Sequence, residues 1–592
     1  MNNPTSFYTN RIQELNGLIR QKKQQHNRTS WLRLLVAIAG ITATWMFWGI
    51  DWTYVTVTVL ISCAIFLKLV SVSTRIKQQL NNLQNLLSIN QQETQILNGY
   101  YTHRYDGSNL ETPHHVYAQD LDIFGKASLF QYIHRTTSEQ GHQLLATWLI
   151  DPANAPTITA RQQAAIELSK EPLWRQQLQA VGTNDPLTIS IQTSLSRWLS
   201  QPHTFIQYKI WQVLRYLLPA ISLTCLTLHI AGIMPASTFY MLVIVFLALS
   251  SYFSKRITPQ YAQLSKHISQ LETLAQSLEW IEKGNFQHAP RLQSADGSGK
   301  VKALKRILDR MDYRLNPLVF IPLNILLYWD LQQVLQLEQW KAQQQSRIKE
   351  WFEVVAETEA LSSFANLAFN NPSWAFPLIQ PAWFHLRCEN AGHPLIPAHK
   401  RINNTFSMSG HPQLAFITGS NMAGKSTFLR TIGTNLVLAM AGAPVCATKF
   451  ETPVLQVMTS MRIADNLEES ASTFYAELQK LKRIIEAVKD PSLKHKVFLL
   501  LDEILRGTNS LDRHTGSEAL IRQLIKEDAV GVIASHDLSL ATLEQEYPGV
   551  IHNYHFDVTI EGSELSFDYT LKNGVCQTLN ATLLMKNIGI EI

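Results

Sequence analysis

The sequence predicts a mainly helical N-terminal region followed by an α/β domain that begins near residue 384. Three observations predict it. Beyond residue 384, short aliphatic and β-branched runs alternate with stretches of helical spacing, as in a sheet covered by helices. One such run, 414–418, leads directly into G-x-x-x-x-G-K-S at 419–426. Upstream, four uncharged apolar stretches fall into two pairs, set among Gln- and Leu-rich helical sequence. A length of 592 residues allows three or four domains.

The apolar stretches come first in the chain. Residues 34–50 and 52–67 carry no charge and are parted only by Asp51. They predict a helical hairpin with its turn at Gly49, Ile50 and Asp51, each arm near the lower length for crossing a bilayer. Residues 216–234 and 236–253 predict a second hairpin, broken at Pro235. Arg20, Lys22, Lys23, Arg28 and Arg33 precede the first pair, and Lys68, Arg75 and Lys77 follow it. Lys209 and Arg215 precede the second, and Lys255 and Arg256 follow it, while neither turn holds a cation. The positive-inside rule then puts both termini and the α/β domain in the cytoplasm, and the expected location is a bacterial-type inner (cytoplasmic) membrane. The first 30 residues are polar and do not read as a secretory signal. A fifth apolar run, 318–329, contains Pro322, is too short to span, and is expected to be a core helix.

Composition narrows the function classes. Charged residues are 16% and hydrophobic residues 46%, which suits membrane segments. A net charge of +5 is small for this length and does not by itself argue for a nucleic-acid partner. Cys63, Cys225, Cys388, Cys446 and Cys576 are scattered without a C-x-x-C pair, which argues against a zinc module or disulfide framework and fits a reducing compartment.

Between and after the hairpins the spacing is helical. Residues 74–97 read as a helix leaving the membrane, 121–199 continue helical with breaks at Asp151-Pro152 and 184–186, and 261–282 form another helix. Residues 284–299 read as a loop, and 301–314 as a helix. In that last helix Lys302, Arg306 and Arg310 fall on one face, with Lys300, Lys305 and Arg314 nearby, opposite Leu304, Ile307, Leu308 and Met311. Such a stripe can bind phosphates without reading sequence. A solvated face or a contact with anionic lipid is the simpler reading.

The glycine-rich segment sits between a strand and a helix, the context a phosphate-binding loop needs. Gly419, Ser420, Asn421, Met422, Ala423, Gly424, Lys425, Ser426 and Thr427 would surround the phosphates of ATP, with Lys425 reaching the β- and γ-phosphates and Ser426 ligating Mg²⁺. A second strand, 497–501, is apolar throughout, as a strand covered on both faces must be, and ends in Asp502-Glu503. Asp502 is placed to hold Mg²⁺ and Glu503 to orient or deprotonate the attacking water. A third strand, 529–534, ends in Ser535-His536-Asp537, where His536 can sense the γ-phosphate.

With these residues in view, the chain resembles the MutS family of DNA mismatch-repair ATPases. T-G-S-N-M-A-G-K-S-T at 418–427 resembles that family's T-G-P-N-M-G-G-K-S-T, and L-D-E-I-L-R-G-T at 501–508 its M-D-E-I-G-R-G-T. Ser472, Thr473, Phe474 and Glu477 resemble its S-T-F-x-x-E, Ser535-His536 its T-H, and Gly574 its final K-x-G-V segment. Residues 124–152 resemble the start of its helical core. The resemblance covers roughly 121–201 and 261–592. It implies an α/β P-loop ATPase domain of the ABC/MutS type behind an all-α core, with the four transmembrane helices inserted. It also implies a homodimer in which Ser472 of one subunit reaches the γ-phosphate bound by the other, with Asp512 at the shared interface. By position in the resemblance, Arg401 and Tyr569 would sandwich the adenine.

Departures bear on function. None of the 24 phenylalanines has Glu two residues later, so the family's Phe-x-Glu mismatch wedge is missing. A hairpin stands where its reader domain would be, the second hairpin where lever arms and clamp would be inserted. Leu505 replaces a glycine, Ala423 another, and Ser420 a proline. The expected division is a cytoplasmic segment 1–30, hairpins 31–70 and 211–254, a helical linker 71–118, core parts 119–210 and 255–383, and the ATPase domain 384–592. Three readings follow: a membrane-anchored ATPase that contacts DNA non-specifically, a nucleotide-switched membrane scaffold with no DNA role, and an ABC-type transporter. The last lacks the L-S-G-G-Q signature.

Overall fold

The computed structural model describes residues 3–290, 296–419, 423–461, 473–561 and 564–576. Helices α1 (Pro4–Phe47) and α2 (Trp52–Leu97) form an antiparallel hairpin. Asn3 caps α1 and Asp51 caps α2, each side chain accepting from the backbone N–H two residues on. The 44 and 46 residues give arms of roughly 65–70 Å, over twice the thickness of a hydrocarbon core. Residues 4–30 are not set apart from the first arm, because they are part of α1 without a break. At the apolar end Leu35, Ile41, Trp45, Ile50, Trp52 and Leu60 point outward, and Gly40 meets Ser62 so closely that a Cβ at 40 would collide. Small residues permit such close helix approach where lipid supplies no hydrophobic drive. At the polar end Leu15, Leu86 and Ile89 pack against Ala180.

The 71–118 segment is helical only to Leu97, and 98–128 consists of turns with one short 3₁₀ stretch, so helix resumes at α3 (Leu129–Ile133) and not at 121. The core continues as α4 (Glu139–Ile150), α5 (Ala155–Ser169), α6 (Pro172–Asn184) and α7 (Ile189–Ser200). The second hairpin is α8 (Lys209–Ile230) and α9 (Ala236–Leu264). The break expected between that hairpin and the next helix lies instead at 265–267, because α9 runs on past its apolar part. Helices α10 (Ile268–Lys283), α11 (Gly297–Met311), α12 (Pro317–Leu327), α13 (Trp329–Gln344) and α14 (Ile348–Asn370) complete the region. Among the described residues, four helices (α1, α2, α8 and α9) are long and apolar enough to cross a membrane.

Two sequence expectations change here. The run 318–329 is not a core helix: α12 leaves Leu318 87% exposed and buries only Asn324. The buried neighbours it would need are absent because it packs on the outside of α8 and α9. The apolar face of α11 is buried as expected, but most of its cations are committed. Lys302 pairs with Glu279, Lys305 with Glu272 and Asp309, Lys300 with Asp296, and Arg314 with the fully buried Asp330. Arg306 and Arg310 remain exposed on that face.

A buried ion pair ties the first hairpin to the core. Arg135 holds both carboxylate oxygens of Glu93, which also accepts from Asn370, and Asn370 in turn accepts from Tyr8 of α1. Glu93 and Arg135 are both buried. Three residues on, Glu359 of α14 accepts the backbone N–H and hydroxyl of Ser138, the N-cap of α4. Removing one partner of a buried pair strands the other charge, at a cost of about 3–5 kcal/mol. Glu93→Gln should therefore lower the urea midpoint of the detergent-solubilised protein; an unchanged midpoint would show that the pair is not structural.

The α/β region carries two sheets. Strands β1 (Leu378–Gln380), β2 (His385–Ala391), β3 (Asn404–Ser409) and β5 (Lys449–Pro453) form one, in the order β1-β5-β2-β3. Because β1 pairs with β5, the domain begins at least as early as Leu378, ahead of the expected boundary at 384. The other sheet has the order β10-β9-β4-β8-β7-β6, using β4 (Gln413–Thr418), β6 (Gln456–Ser460), β7 (Val497–Asp502), β8 (Val530–Ala534), β9 (Ile551–Glu561) and β10 (Glu564–Asn573). All its pairings are parallel except β9 with β10. Every residue of β4, β7 and β8 is buried, since helices α15 (Lys425–Ala441), α16 (Thr473–Lys489) and α17 (Ser510–Lys526) accompany the sheet. Tyr117, Leu121, Phe130, Leu149 and Phe364 share one hydrophobic cluster with α15 and the sheet, so the helical core and the α/β region are packed as one body at this junction.

Candidate active site

The parallel register brings three strand ends to one edge. Ala534 of β8 lies opposite both Ile417 of β4 and Asp502 of β7. Two backbone bonds extend the ladder past the strands: Glu503 N–H donates to Ala534 O (2.9 Å) and Ser535 N–H to Ile417 O (3.0 Å). The glycine loop, Asp502-Glu503 and Ser535-His536 thus meet at the carboxyl ends of neighbouring strands, where ligands bind in open α/β sheets. Gly424 has φ +101 and lies directly before α15, with its Cα facing Tyr569 so closely that any Cβ would strike the ring. Ala423 is buried at the foot of the loop. Ser420, Asn421 and Met422 lie outside the described residues, as does Ser472. Thr427 is exposed in the first turn of α15.

Lys425 is only 2% exposed. Its ammonium donates to Gly419 O at 2.6 Å and lies 3.3 Å from His536 Nε2. Burial brings its pKa down to about 8, against the attraction of Glu503 and Asp502. The Ser426 hydroxyl favours the charged form of the neighbouring Asp502, whose pKa burial nevertheless raises. Asp502 Oδ1 is buried without a hydrogen-bond partner among the described residues. A hydroxyl and a carboxylate with one vacant buried oxygen form a donor set that suits Mg²⁺, which takes few protein ligands and keeps its waters and phosphates.

Glu503 bridges two side chains of the site. Its Oε1 lies 2.5 Å from His536 Nε2, and its Oε2 accepts from Arg506 Nε at 2.7 Å. The contact with His536 holds its pKa below the usual carboxylate range, with Arg506 and Lys425 adding to it. The loop after β7 is strained: Glu503 and Leu505 have φ of +48 and +60. A glycine would adopt such angles freely, whereas a side chain makes them cost of order 1–3 kcal/mol each. Leu505, at the position of a glycine in the resemblance, pays this in exchange for a buried place in the apolar cluster under β7.

What holds the strained loop is Glu477, which the sequence reading quoted but did not place in the site. Its Oε1 accepts from Leu505 N–H at 2.5 Å, and the N–H groups of Arg506 and Gly507 also favour its charged form. Burial nevertheless raises its pKa. Phe474 packs against Gly507. Arg506 was likewise missed, although it lies within the motif that gave Glu503. Asp120 carried no sequence signal. It reaches from the helical core to accept from Thr459 Oγ1 (2.7 Å), Met461 N–H (3.1 Å) and Lys480 Nζ (3.2 Å). Asp512 sits exposed at the start of α17, held by the N-cap Asn509.

The adenine pair divides. Tyr569 lies against the phosphate loop, stacked on Phe567 at 5.9 Å. The Arg401 guanidinium instead sits over the Trp374 ring at 5.8 Å and donates to Ile396 O. No contact joins Arg401 to Tyr569 among the described residues.

A mainly parallel sheet with a glycine loop, a buried lysine and an Asp-Glu strand end defines a P-loop nucleotide-binding fold. Residues 415–586 match the family model of MutS domain V, an ATPase domain. The chain is 29% identical over 249 residues to the DNA mismatch repair protein MutS of Persephonella marina, covering 41% of this chain and 28% of that one. It is 31% identical over 245 residues to the DNA mismatch repair protein MutS of Thermotoga neapolitana (40% and 29%). It is 29% identical over 242 residues to the DNA mismatch repair protein MutS 2 of Halobacterium salinarum (40% and 27%). The match spans less than a third of the length of these curated relatives.

Proposed function

We propose that this chain is a membrane-anchored ATPase that binds and hydrolyses ATP with Mg²⁺ at sites shared between two copies. The observation that carries this reading is the meeting of Lys425, Ser426, Asp502, Glu503 and His536 at one sheet edge. Lys425 would release Gly419 O and turn to the β- and γ-phosphates. Ser426 and Asp502 would hold Mg²⁺, which neutralises phosphate charge. Glu503 would orient a water in line with the γ-phosphorus and accept its proton as the new P–O bond forms and the bond to the β-phosphate oxygen breaks. His536, beside both Lys425 and Glu503, would contact the γ-phosphate. Tyr569 would cover the base side.

The pairing of two copies is supported by apolar side chains left outward near the site, Leu511 at 73% and Tyr475 at 55% exposure. Membrane anchoring is supported by the length and apolar character of α1, α2, α8 and α9, and the flanking cations favour a cytoplasmic ATPase at the inner membrane. For DNA, the names of the relatives suggest binding, whereas the ion pairs along α11 leave Arg306 and Arg310 as the free cations of that stripe. That favours the scaffold without a DNA role, or at most contact with phosphates. No preference for a mismatch is expected, since reading one needs a wedge that kinks the duplex. Competition between a G·T duplex and its paired parent at about 150 mM salt tests this; a tenfold preference, about 1.4 kcal/mol, would refute it.

A further inference from the structure

The segment between α11 and α13 is built for lipid. From Leu315 to Tyr328 there is no charged residue. Leu315, Leu318 and Ile321 are 77%, 87% and 48% exposed, so the outer face of α12 is a continuous apolar surface. Its inner face belongs to the second hairpin: Ser222 of α8 donates to Leu326 O, Asn324 donates to Ser254 of α9, and Ile325 joins the cluster that includes Leu218 and Leu249. The 11 residues of α12 extend about 16 Å, half a hydrocarbon core. A bend of 79° then separates it from α13, whose polar face is not that of a span.

The ends are anchored where a membrane boundary would lie. Arg314, just before the segment, pairs with Asp330, just after it, at 2.7 Å, and Asp330 also accepts from Ser254. Ser254 is where the uncharged part of α9 ends, one residue before Lys255. Tyr313 and Trp329 stack at 5.7 Å across the two ends, and the Trp329 indole donates to Arg310 O. Aromatic rings and cations at this level match an interfacial belt.

We infer that α12 is a re-entrant half-helix, inserted in the cytoplasmic leaflet beside α8 and α9 and returning to the same side. The inference rests on the membrane reading of the second hairpin. It gives α13 and α14, which lead into β1, a direct physical link to the lipid phase. The test uses a Cys63→Ser, Cys225→Ser background reconstituted in phosphatidylcholine vesicles, with a fluorophore on single introduced cysteines. Leu318→Cys probes α12, Ile244→Cys the exposed face of α9, Gln339→Cys the exposed face of α13, and Leu173→Cys an exposed apolar site on α6. Nitroxides on the acyl chains should quench 318 and 244 alike, at least about twofold more than 339 and 173, because they reach only groups in the hydrocarbon. Quenching at 244 without 318 overturns the half-helix alone. Equal quenching at 318 and 339 makes α12 and α13 one broken span and also overturns it. Quenching at neither 318 nor 244 removes the membrane reading of the hairpin, and the half-helix with it.

Discussion

Lys425→Ala should weaken ATP binding at least about 100-fold, roughly 2.7 kcal/mol, as measured by titration with a fluorescent nucleotide. The size follows from burial. An ammonium 2% exposed, donating to Gly419 O in the loop, meets phosphate with little competing water. The alternative partners of the amine, Gly419 O and His536, show that the cation is already aimed into the loop before nucleotide arrives. Its lowered pKa, about 8, adds a dependence on pH. Without nucleotide the lysine loses its proton as pH rises through that value, so affinity in the parent should fall above pH 8, whereas the alanine variant should show no such fall. An unchanged Kd in Lys425→Ala would remove the phosphate-loop assignment.

Glu503→Gln should leave nucleotide affinity nearly intact and lower the hydrolysis rate by roughly 10²–10⁴-fold, the usual worth of a positioned base. Glutamine is chosen because it keeps the size and shape of the side chain: its amide oxygen can still accept from Arg506 and its NH2 can face the unprotonated ring nitrogen of His536, while Glu477 still holds the strained loop. Only the capacity to take a proton is lost. The sign of the pH dependence follows from the same contacts. They hold the Glu503 carboxyl below the usual range, so the basic form persists as pH falls through the ordinary glutamate value of about 4.3. Loss of activity on the acid side above about pH 6 would therefore belong to another group, while a wild-type rate in the variant would move the base elsewhere.

The reach of sequence reasoning differed between elements for physical reasons. The glycine loop and the ends of β7 and β8 were readable because their pattern is local: a strand, a tight turn and a helix follow one another directly, and each strand end carries its own charged or ionisable side chain. Arg401 and Tyr569 are not brought face to face, because a pairing across the fold depends on packing. Trp374, which precedes β1 and β2, offers the guanidinium a ring that no local pattern announces. Glu477 stood in the S-T-F-x-x-E match, yet its bond to the loop after β7, like the bond of Asp120 to Met461, joins segments apart in the sequence and has no local signature.

The sequence by itself determined the order of the chain: two apolar hairpins, helical segments around them, and a P-loop α/β domain of MutS type at the C-terminal end. Hydrophobic period, charge flanks and turn residues are enough for that, since each is a property of a short window. Tertiary structure decided which surfaces were spoken for. It paired most of the α11 cations with acids of its own and of α10, which no count of lysines foretells. It also turned an apolar run that reads as core onto the outside of α8 and α9. An uncharged helix is equally suited to a protein interior and to lipid, and only its neighbours distinguish the two.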